Sequence, residues 1–598
     1  MKVWSISTTV RNPERIPEFA SAIQPFIGMT WDKQRQVEFM YELIRRRLYK
    51  PTKLTDAQAD LVNDVEREMT TTEAKEIFEA QNYEDPPMRG RTAISPVRDV
   101  GLVRLQPTVQ LTEIGMALVD KKITLQDVLL NYGLKWEVPT PGHKTFTAKD
   151  GYYIKPFIGM LALISRVNSL WLEKTGDEVG LSKEEFNIYG PTLIDYKSID
   201  TYAERIVAGR LKSKSAQGAA DKLAALNEAT VNHLSNLPNG SSSFTEIDLN
   251  NLRDFGDNAI RYFRQTGFIE FRGAGRYVDI GKTAKAQVEL LLEQELYKPV
   301  GYQDQDEYLD VVGDLNSFTP PWATKEKLKD VKDYLKNLLK QEAGDIKLDS
   351  IPADKLENPI RGEDAEIIVL KEALLKSRLS KLKVSSRSRD FVEEFIEEYE
   401  ALEKKNYEGY LPKPVALEFN TFKAFLSLND ALAVKPNYPQ GDDGEPISTA
   451  PGGGTDLYCE YESFVLSVEV TMSTGRSQWQ MEGQPVQRHL RDVEESSAKP
   501  AYSLFLAPKL HADTVDTFWI ANVHGYQGQA QKIIPLEFDA WRTYLRSVSP
   551  KIVNGELKHN QILKFFEAAL PVGDETKNSL VWKQRINSSE FLEKVAVA

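Results

Sequence analysis

Between Gly452 and Leu490 the chain reads GGGTDLYCEYESFVLSVEVTMSTGRSQWQMEGQPVQRHL, and its acids recur at spacings that suit cation-assisted chemistry. DLYCEY and FVLSVEVT are two strand-like runs separated by Glu462 and Ser463, so the simplest register is a hairpin with a two-residue loop. That register pairs Tyr461 with Phe464 and, counting outward, Asp456 with Glu469. Side chains alternate along a strand, which puts Asp456, Tyr458 and Glu460 on one face with Val465, Ser467, Glu469 and Thr471. Leu457, Cys459, Tyr461, Phe464, Leu466, Val468 and Val470 take the other, apolar face. Directly opposed Cβ atoms stand roughly 4.5–5.5 Å apart, near enough for two carboxylates to share one hard cation. Downstream, Glu482 and His489 lie close to two helical turns apart and so share a helix face, while Pro485 suits a first helical turn. Acidic alternation by itself also fits an amphipathic hairpin whose acids face solvent.

The order of residues resolves the choice. The segment resembles the catalytic segment of the AlwI-type family of type IIS restriction and nicking endonucleases, a branch of the PD-(D/E)XK nucleases. The resemblance is carried by Asp456, Glu469, Val470, Thr471, Gly475, Met481, Glu482, Pro485, Val486, Arg488 and His489, in that order. It implies that Asp456, Glu469 and the carbonyl oxygen of Val470 ligate Mg²⁺, that Glu482 completes the acidic cluster, and that His489 stands by the attacking water. Glu418, in LEFNTFKAFLSLNDA, matches a family Glu on the helix before the hairpin. Thr471 holds the place where most PD-(D/E)XK nucleases carry Lys, a departure the family shares. Phosphodiester hydrolysis needs a hydroxide at neutral pH and shielding of a dianionic transition state, and carboxylate-held Mg²⁺ supplies both.

A chain of 598 residues with 41% hydrophobic and 27% charged content reads as a multidomain globular protein. Its single cysteine, Cys459, forms no internal disulfide and falls on the apolar face of the hairpin, as expected in a reducing cytoplasm. No apolar run approaches a membrane span. The net charge of −13 argues against strong non-specific nucleic-acid binding, but the excess is uneven. Residues 1–300 hold 39 basic and 40 acidic residues, and the remainder 36 and 48.

The elements that must deliver a substrate lie upstream. QVEFMYELIRRRLY (36–49) has helical spacing in Val37, Met40, Tyr41, Ile44 and Leu48. Residues 89–120 read as a helix ending at Gly101, a strand LVRL, a turn at Gln106-Pro107, a return strand VQL and a helix capped by Thr112. That order is a winged-helix signature. A second copy spans 249–281, with Leu249, Leu252, Phe255, Ile260 and Phe263 as its buried stripe and FIEF and RYVDI as its hairpin. Arg253, Asp257, Arg261 and Arg264 mark its opposite face. In such modules this helix enters the major groove of double-stranded DNA, so Arg89, Arg91, Arg98, Arg253, Arg261 and Arg264 are the candidate DNA contacts.

Residues 152–174 read as a buried helix, 213–230 as a polar helix and 237–244 as a flexible loop; His143 and His233 read as surface residues. From 311 to 405 charged helices read as a linker. AYSLFLAP (501–508) and DTFWIANV (516–523) read as strands with His511 and His524 near their ends, and 533–545 and 559–570 as covering helices.

The expected architecture is multidomain α+β. A winged-helix subdomain (1–150), a second recognition subdomain (151–310), a helical linker (311–405) and an α/β PD-(D/E)XK nuclease domain with a mixed sheet (406–598) follow in order. By resemblance the protein is a type IIS restriction endonuclease cutting a few base pairs from a short asymmetric site. A strand-specific nicking enzyme, or the large subunit of a heterodimeric enzyme, is the alternative, and cutting both strands calls for a transient homodimer or a small catalytic subunit. A winged-helix regulator with an inactive nuclease domain would carry a damaged acid set, which this chain lacks. GGGT as a phosphate loop fails because Gly454-Thr455-Asp456 leads into a strand rather than a helix.

Overall fold

The computed structural model describes residues 2–63, 67–143, 145–237, 244–273, 275–344, 360–407, 409, 411–428, 431–450, 453–557, 561–570 and 577–597. Most of the loop expected at 237–244, Gly452, and the first two residues of the helix expected at 559–570 lie outside them. The chain divides into two units, one of Met1–Leu54 with Met69–Leu374, the other of Thr55–Glu68 with Leu375–Ala598.

In the first unit, α1 (Lys33–Arg45) buries Phe39, Met40, Leu43 and Ile44, and Arg45 and Arg46 turn back onto Glu42. The elements expected over 89–120 are present as α2 (Pro86–Asp99), the antiparallel pair β1 (Val103–Arg104) and β2 (Gln110–Leu111), and α3 (Glu113–Val119). Gly101 leaves α2 at φ +84°, and the Thr112 hydroxyl caps α3 by accepting the Gly115 N–H. The apolar run at 156 folds as α4 (Pro156–Thr175), buried from Pro156 to Ile164 and at Val167 and Asn168, and mostly exposed at its final turns. Next come β3 (Leu181–Ser182), α5 (Lys183–Thr192), α6 (Ile199–Ser215) and α7 (Ala219–Ser235). The polar helix expected at 213–230 is thus two helices, broken where Gly218 adopts φ +89°.

The second expected module begins with α8 (Glu246–Gln265). Its N-terminus is held by a capping box between Thr245 and Asp248. Leu252, Ile260 and Phe263 are buried and Leu249 and Phe255 half-buried. Gly267, at φ +75°, turns the chain into β4 (Ile269–Arg272) and β5 (Tyr277–Ile280). β5 lies between β3 and β4, both antiparallel to it.

The charged stretch 311–405 is not a freestanding linker. In α9 (Lys325–Ala343) Val331, Leu335 and Leu339 are buried in the first unit, whereas Val392, Phe395, Ile396, Tyr399 and Leu402 of α10 (Arg389–Glu403) join the core of the second. The boundary falls at 374/375, inside the helix Ala365–Ser385, because apolar stripes at helical spacing on both sides of it needed a core.

The second unit is built on α11 (Lys413–Leu428), β6 (Ala433–Pro436), β7 (Leu457–Glu460), β8 (Val465–Val470), α12 (Arg476–Ser496), β9 (Ala501–Ala507), α13 (Ala512–Val523), β10 (Ile533–Glu537) and α14 (Phe538–Asn554). The sheet runs β10-β9-β8-β7-β6, parallel through the first three strands and antiparallel through the last three. β8 and β9 are buried on both faces, so both faces of the hairpin's second strand are covered, not only the apolar one. DTFWIANV is helical rather than a strand. It lies in α13, which starts at His511 as N-cap and buries Val515, Phe518 and Ala521, three residues apart. The helix expected from 533 begins only at Phe538; IIPLE before it is β10, an edge strand where Pro535 costs little. The helix Asp56–Asn63, early in the chain, lies against α12.

Candidate active site

Glu418 sits on α11, Asp456 immediately before β7, Glu469 on β8, and Glu482 and His489 on α12, all within the second unit. The hairpin has the register read from the sequence. Leu457 faces Val468, Glu460 faces Val465, and Tyr461 N–H donates to Phe464 across Glu462 and Ser463. One step further out, Asp456 replaces a ladder bond with its side chain: Val470 N–H donates to its Oδ2 at 2.8 Å. Glu418, buried, accepts the Ala450 N–H at 2.8 Å.

These carboxylates act on one another. Burial, then repulsion from Glu469 and Glu482, holds the Asp456 carboxyl well above its usual range despite the Val470 N–H. Burial and repulsion from Glu482 and Glu418 do the same to Glu469, which is only 5% exposed. Glu482 is raised by burial, against a hydrogen bond from the Thr471 hydroxyl and the attraction of His489. Four acids thus repel one another across a weakly screened site, an arrangement that favours either shared protons or a cation, although among the described residues no three of them bring ligand atoms within 4.8 Å of one another.

His489 Nδ1 lies 3.1 Å from Glu469 Oε1, and its Nε2 is buried with no hydrogen-bond partner among the described residues. Burial, followed by Arg488, lowers its pKa, so the ring is neutral near pH 7. The carboxylate partner assigns the proton to Nδ1 and leaves the Nε2 lone pair open.

Residues outside the acid set hold it in place. Gln478, fully buried, donates to Ser473 O and Lys509 O at 2.8 Å and accepts from His511 N–H, which fixes the turn between β8 and α12. No spacing in the sequence marks it. Thr471 is marked, since alternation from Glu469 puts its hydroxyl on the acid face. Pro485 lies inside α12 and not in its first turn, because the helix starts after Gly475 at φ +67°.

The arginines divide. Arg253 is exposed and pairs with both oxygens of Glu184, and Arg261 is exposed and pairs with Asp257 at 2.9 Å. Arg264 is not on that face: it is 5% exposed, its Cζ 4.1 Å from the Phe271 ring centroid and its guanidinium 3.8 Å from buried Glu270. The turn of α8 that carries it packs on β4. Arg89 lies 4.5 Å over the Tyr83 ring, Arg91 pairs with Asp85, and Arg98 pairs with its neighbour Asp99.

His233 is likewise not a surface residue. It is 1% exposed, stacked on Tyr189 and bonded to the Thr192 hydroxyl at 3.0 Å, and burial pushes its pKa down to about 3. His143 is exposed and stacked on Phe146. His511 and His524 flank helix α13 and not a strand.

No curated protein matches the chain. A solved structure described as the small subunit (R.BspD6I2) of the heterodimeric restriction endonuclease R.BspD6I is similar at 24% identity, with a TM-score of 0.27, over 34% of this chain and 98% of that one. The family model described as AlwI restriction endonuclease matches residues 98–543, most of both units. The chain belongs to the AlwI restriction endonuclease family.

Proposed function

We propose that this restriction enzyme is a type IIS endonuclease of PD-(D/E)XK type, a cytoplasmic protein that hydrolyses DNA in a Mg²⁺-dependent reaction to one side of a short asymmetric site. The observation that carries this reading is that buried Glu469 and half-buried Asp456 and Glu482 raise one another's pKa values, with His489 Nδ1 3.1 Å from Glu469 Oε1. Asp456, Glu469 and the Val470 carbonyl offer an all-oxygen, negatively charged donor set, which fits Mg²⁺ better than a soft metal. When bound, Mg²⁺ lowers the pKa of water and shields the charge that develops on the phosphate.

The chain's own groups do the rest. Glu469 holds His489 through Nδ1–H, which keeps the Nε2 lone pair available to accept a proton from water. The Thr471 hydroxyl favours the ionised form of Glu482. No side chain here serves as a nucleophile, so inversion at phosphorus is expected.

For recognition, β3, α5, α8, β4 and β5 follow a winged-helix order with α6 and α7 inserted, and the exposed face of α8 carries Arg253 and Arg261. α2, β1, β2 and α3 are a smaller candidate of the same kind, with Arg89, Arg91 and Arg98 on its helix. We assign the first unit to DNA reading and the second to cleavage. The Asp456/Glu469/Glu482 set builds one active site, which favours nicking by a monomer; a second copy or a small catalytic subunit completes a double-strand break.

The test is incubation with random-sequence plasmid DNA in Mg²⁺ and in EDTA, followed by sequencing of the ends. Discrete ends at a fixed offset from one asymmetric sequence, formed only with Mg²⁺, are expected. Ends within the recognised sequence, or equal cutting in EDTA, would overturn the assignment.

A further inference from the structure

In the first unit an open cleft of about 360 Å³ lies where the end of α4, β3, the start of α5, the end of α6, α7 and β5 meet. This is within the range of ligand pockets, roughly 300–1,000 Å³. None of the residues discussed above as catalytic or groove-facing lines it.

Its framework is a guanidinium set between two aromatic rings. Arg210 Cζ is 5.5 Å from the Trp171 ring centroid and 6.0 Å from that of Tyr277. The side chain is locked: Nε donates to Glu185 Oε1 at 2.8 Å, and Nη2 to Glu185 Oε2 at 2.5 Å and Gly180 O at 2.6 Å. Its remaining nitrogen, Nη1, is buried without a partner among the described residues, on a residue only 8% exposed. A buried unpaired donor costs stability and calls for a reason.

Around this framework stand two more cations. Lys214 Nζ lies 5.7 Å from the same indole, and Lys222 lines the opposite side from α7. Both are exposed, and neither forms an ion pair among the described residues, whereas nearby Lys212 is paired with Glu228. In a chain of net charge −13, three cations gathered around an indole and a phenol with one acid between them favour a ligand that is aromatic and anionic at once. Stacking on aromatic rings suits a planar base, and lysine ammonium groups suit a phosphate.

We propose that this cleft binds a nucleotide, the base against Trp171 and Tyr277 and the phosphate at Lys214 and Lys222. The same chemistry is offered by a free mononucleotide and by a nucleotide unstacked from bound DNA. Unstacking one base costs a few kcal/mol, which a preformed aromatic wall offsets. The site is independent of the catalytic acids and requires no turnover.

Photocrosslinking separates the two sources. Full-length protein in EDTA is irradiated with 5-iododeoxyuridine monophosphate, and separately with duplex DNA carrying 5-iododeoxyuridine at successive thymine positions, and crosslinked peptides are identified by mass spectrometry. A crosslink at Trp171 or Tyr277 is expected from at least one probe, and the probe that gives it identifies the source. The yield should fall at least tenfold in a Lys214→Glu/Lys222→Glu protein whose thermal melt matches wild type, and excess dGMP should displace the free nucleotide. Crosslinks confined to other peptides with both probes would overturn the proposal, as would an unchanged yield in the double variant. Because no step requires Mg²⁺ or cleavage, these outcomes do not depend on the nuclease assignment.

Discussion

Nδ1 of His489 is 3.1 Å from Oε1 of Glu469, while the other nitrogen of the ring is buried and has no partner among the described residues. A neutral imidazole tethered at one end is oriented to accept a proton at the other. His489→Ala should therefore slow single-turnover cleavage by about 10²–10⁴-fold, the usual contribution of a general base, with little change in DNA binding. Because burial lowers the imidazole pKa, the wild-type rate should persist below pH 6.5 before it falls. An unaltered single-turnover rate in the variant would remove His489 from the mechanism.

The acid cluster makes a prediction about stability without Mg²⁺. Asp456, Glu469 and Glu482 have folded pKa values above their unfolded ones. Below the unfolded values, near 4, all are protonated in both states and exert no penalty. As pH rises toward the folded values the unfolded chain ionises first, and stability is lost. In EDTA, Asp456→Asn and Glu482→Gln should each melt higher than wild type at pH 8, with the gap closing at pH 4–5, and both should abolish cleavage while retaining specific binding. Full Mg²⁺-dependent cleavage by either variant would sink the active-site assignment.

The arginines of α8 should behave in two ways. Exposed ion pairs such as Arg253–Glu184 contribute about 0–1 kcal/mol to folding, so Arg253→Ala and Arg261→Ala should melt like wild type. If either reads a base, binding weakens by roughly 1–3 kcal/mol and selectively at one position of the site. Arg264→Ala should instead lower the melting temperature, since it empties a buried stack on Phe271. Binding unaffected in both Arg253→Ala and Arg261→Ala would refute groove entry by α8.

His233 supplies an acid-sensitive point in the first unit. Its folded pKa, about 3, lies below the unfolded value of about 6.5, so folding excludes a proton that the unfolded chain takes up. The sign is a stability that falls as pH drops through 6.5, by about 2 kcal/mol at pH 5. His233→Gln should flatten the dependence of the first unit's melting temperature between pH 7 and pH 5. An equally steep dependence in the variant would place the sensitivity elsewhere.

Strand number follows from the Asp456/Glu469/Glu482 set, which would build one active site. In-line displacement at a single phosphate breaks a single strand, so a chain acting alone on an asymmetric site should nick. On a supercoiled plasmid with one site, linear product should rise more than first order in enzyme if two copies cooperate. Open circles persisting at high enzyme would indicate a nicking enzyme or a missing small subunit. Linearisation strictly first order, without a nicked intermediate, would contradict the argument.

The hairpin register, Asp456 opposite Glu469, was legible because a period of two and a two-residue loop leave one solution. Helix α13 was not, because DTFWIANV is too short and too apolar for its i, i+3 spacing at Val515, Phe518 and Ala521 to stand out from a buried strand. β10 was obscured by its direct entry into α14, with no turn residue between Glu537 and Phe538. Arg264 and His233 show where a single-helix view fails. Each lies on a face that looks polar along its own helix and is covered by another element, β4 for one and α5 for the other. That covering is tertiary information, which no local period encodes.

Residues 55–68 belong to the second unit although the chain then resumes the first unit for about three hundred residues. Modular enzymes of this kind invite exchange of cutting parts between recognition parts by one crossover, here after Leu374. Such a chimera would inherit the parent's Asp56–Asn63 helix against a foreign α12, with Val62, buried in the native protein, meeting a surface it was not selected to fit. Exchange of the second unit therefore takes two coordinated recombination events, and a chain with only the later one carries a mismatch beside α12.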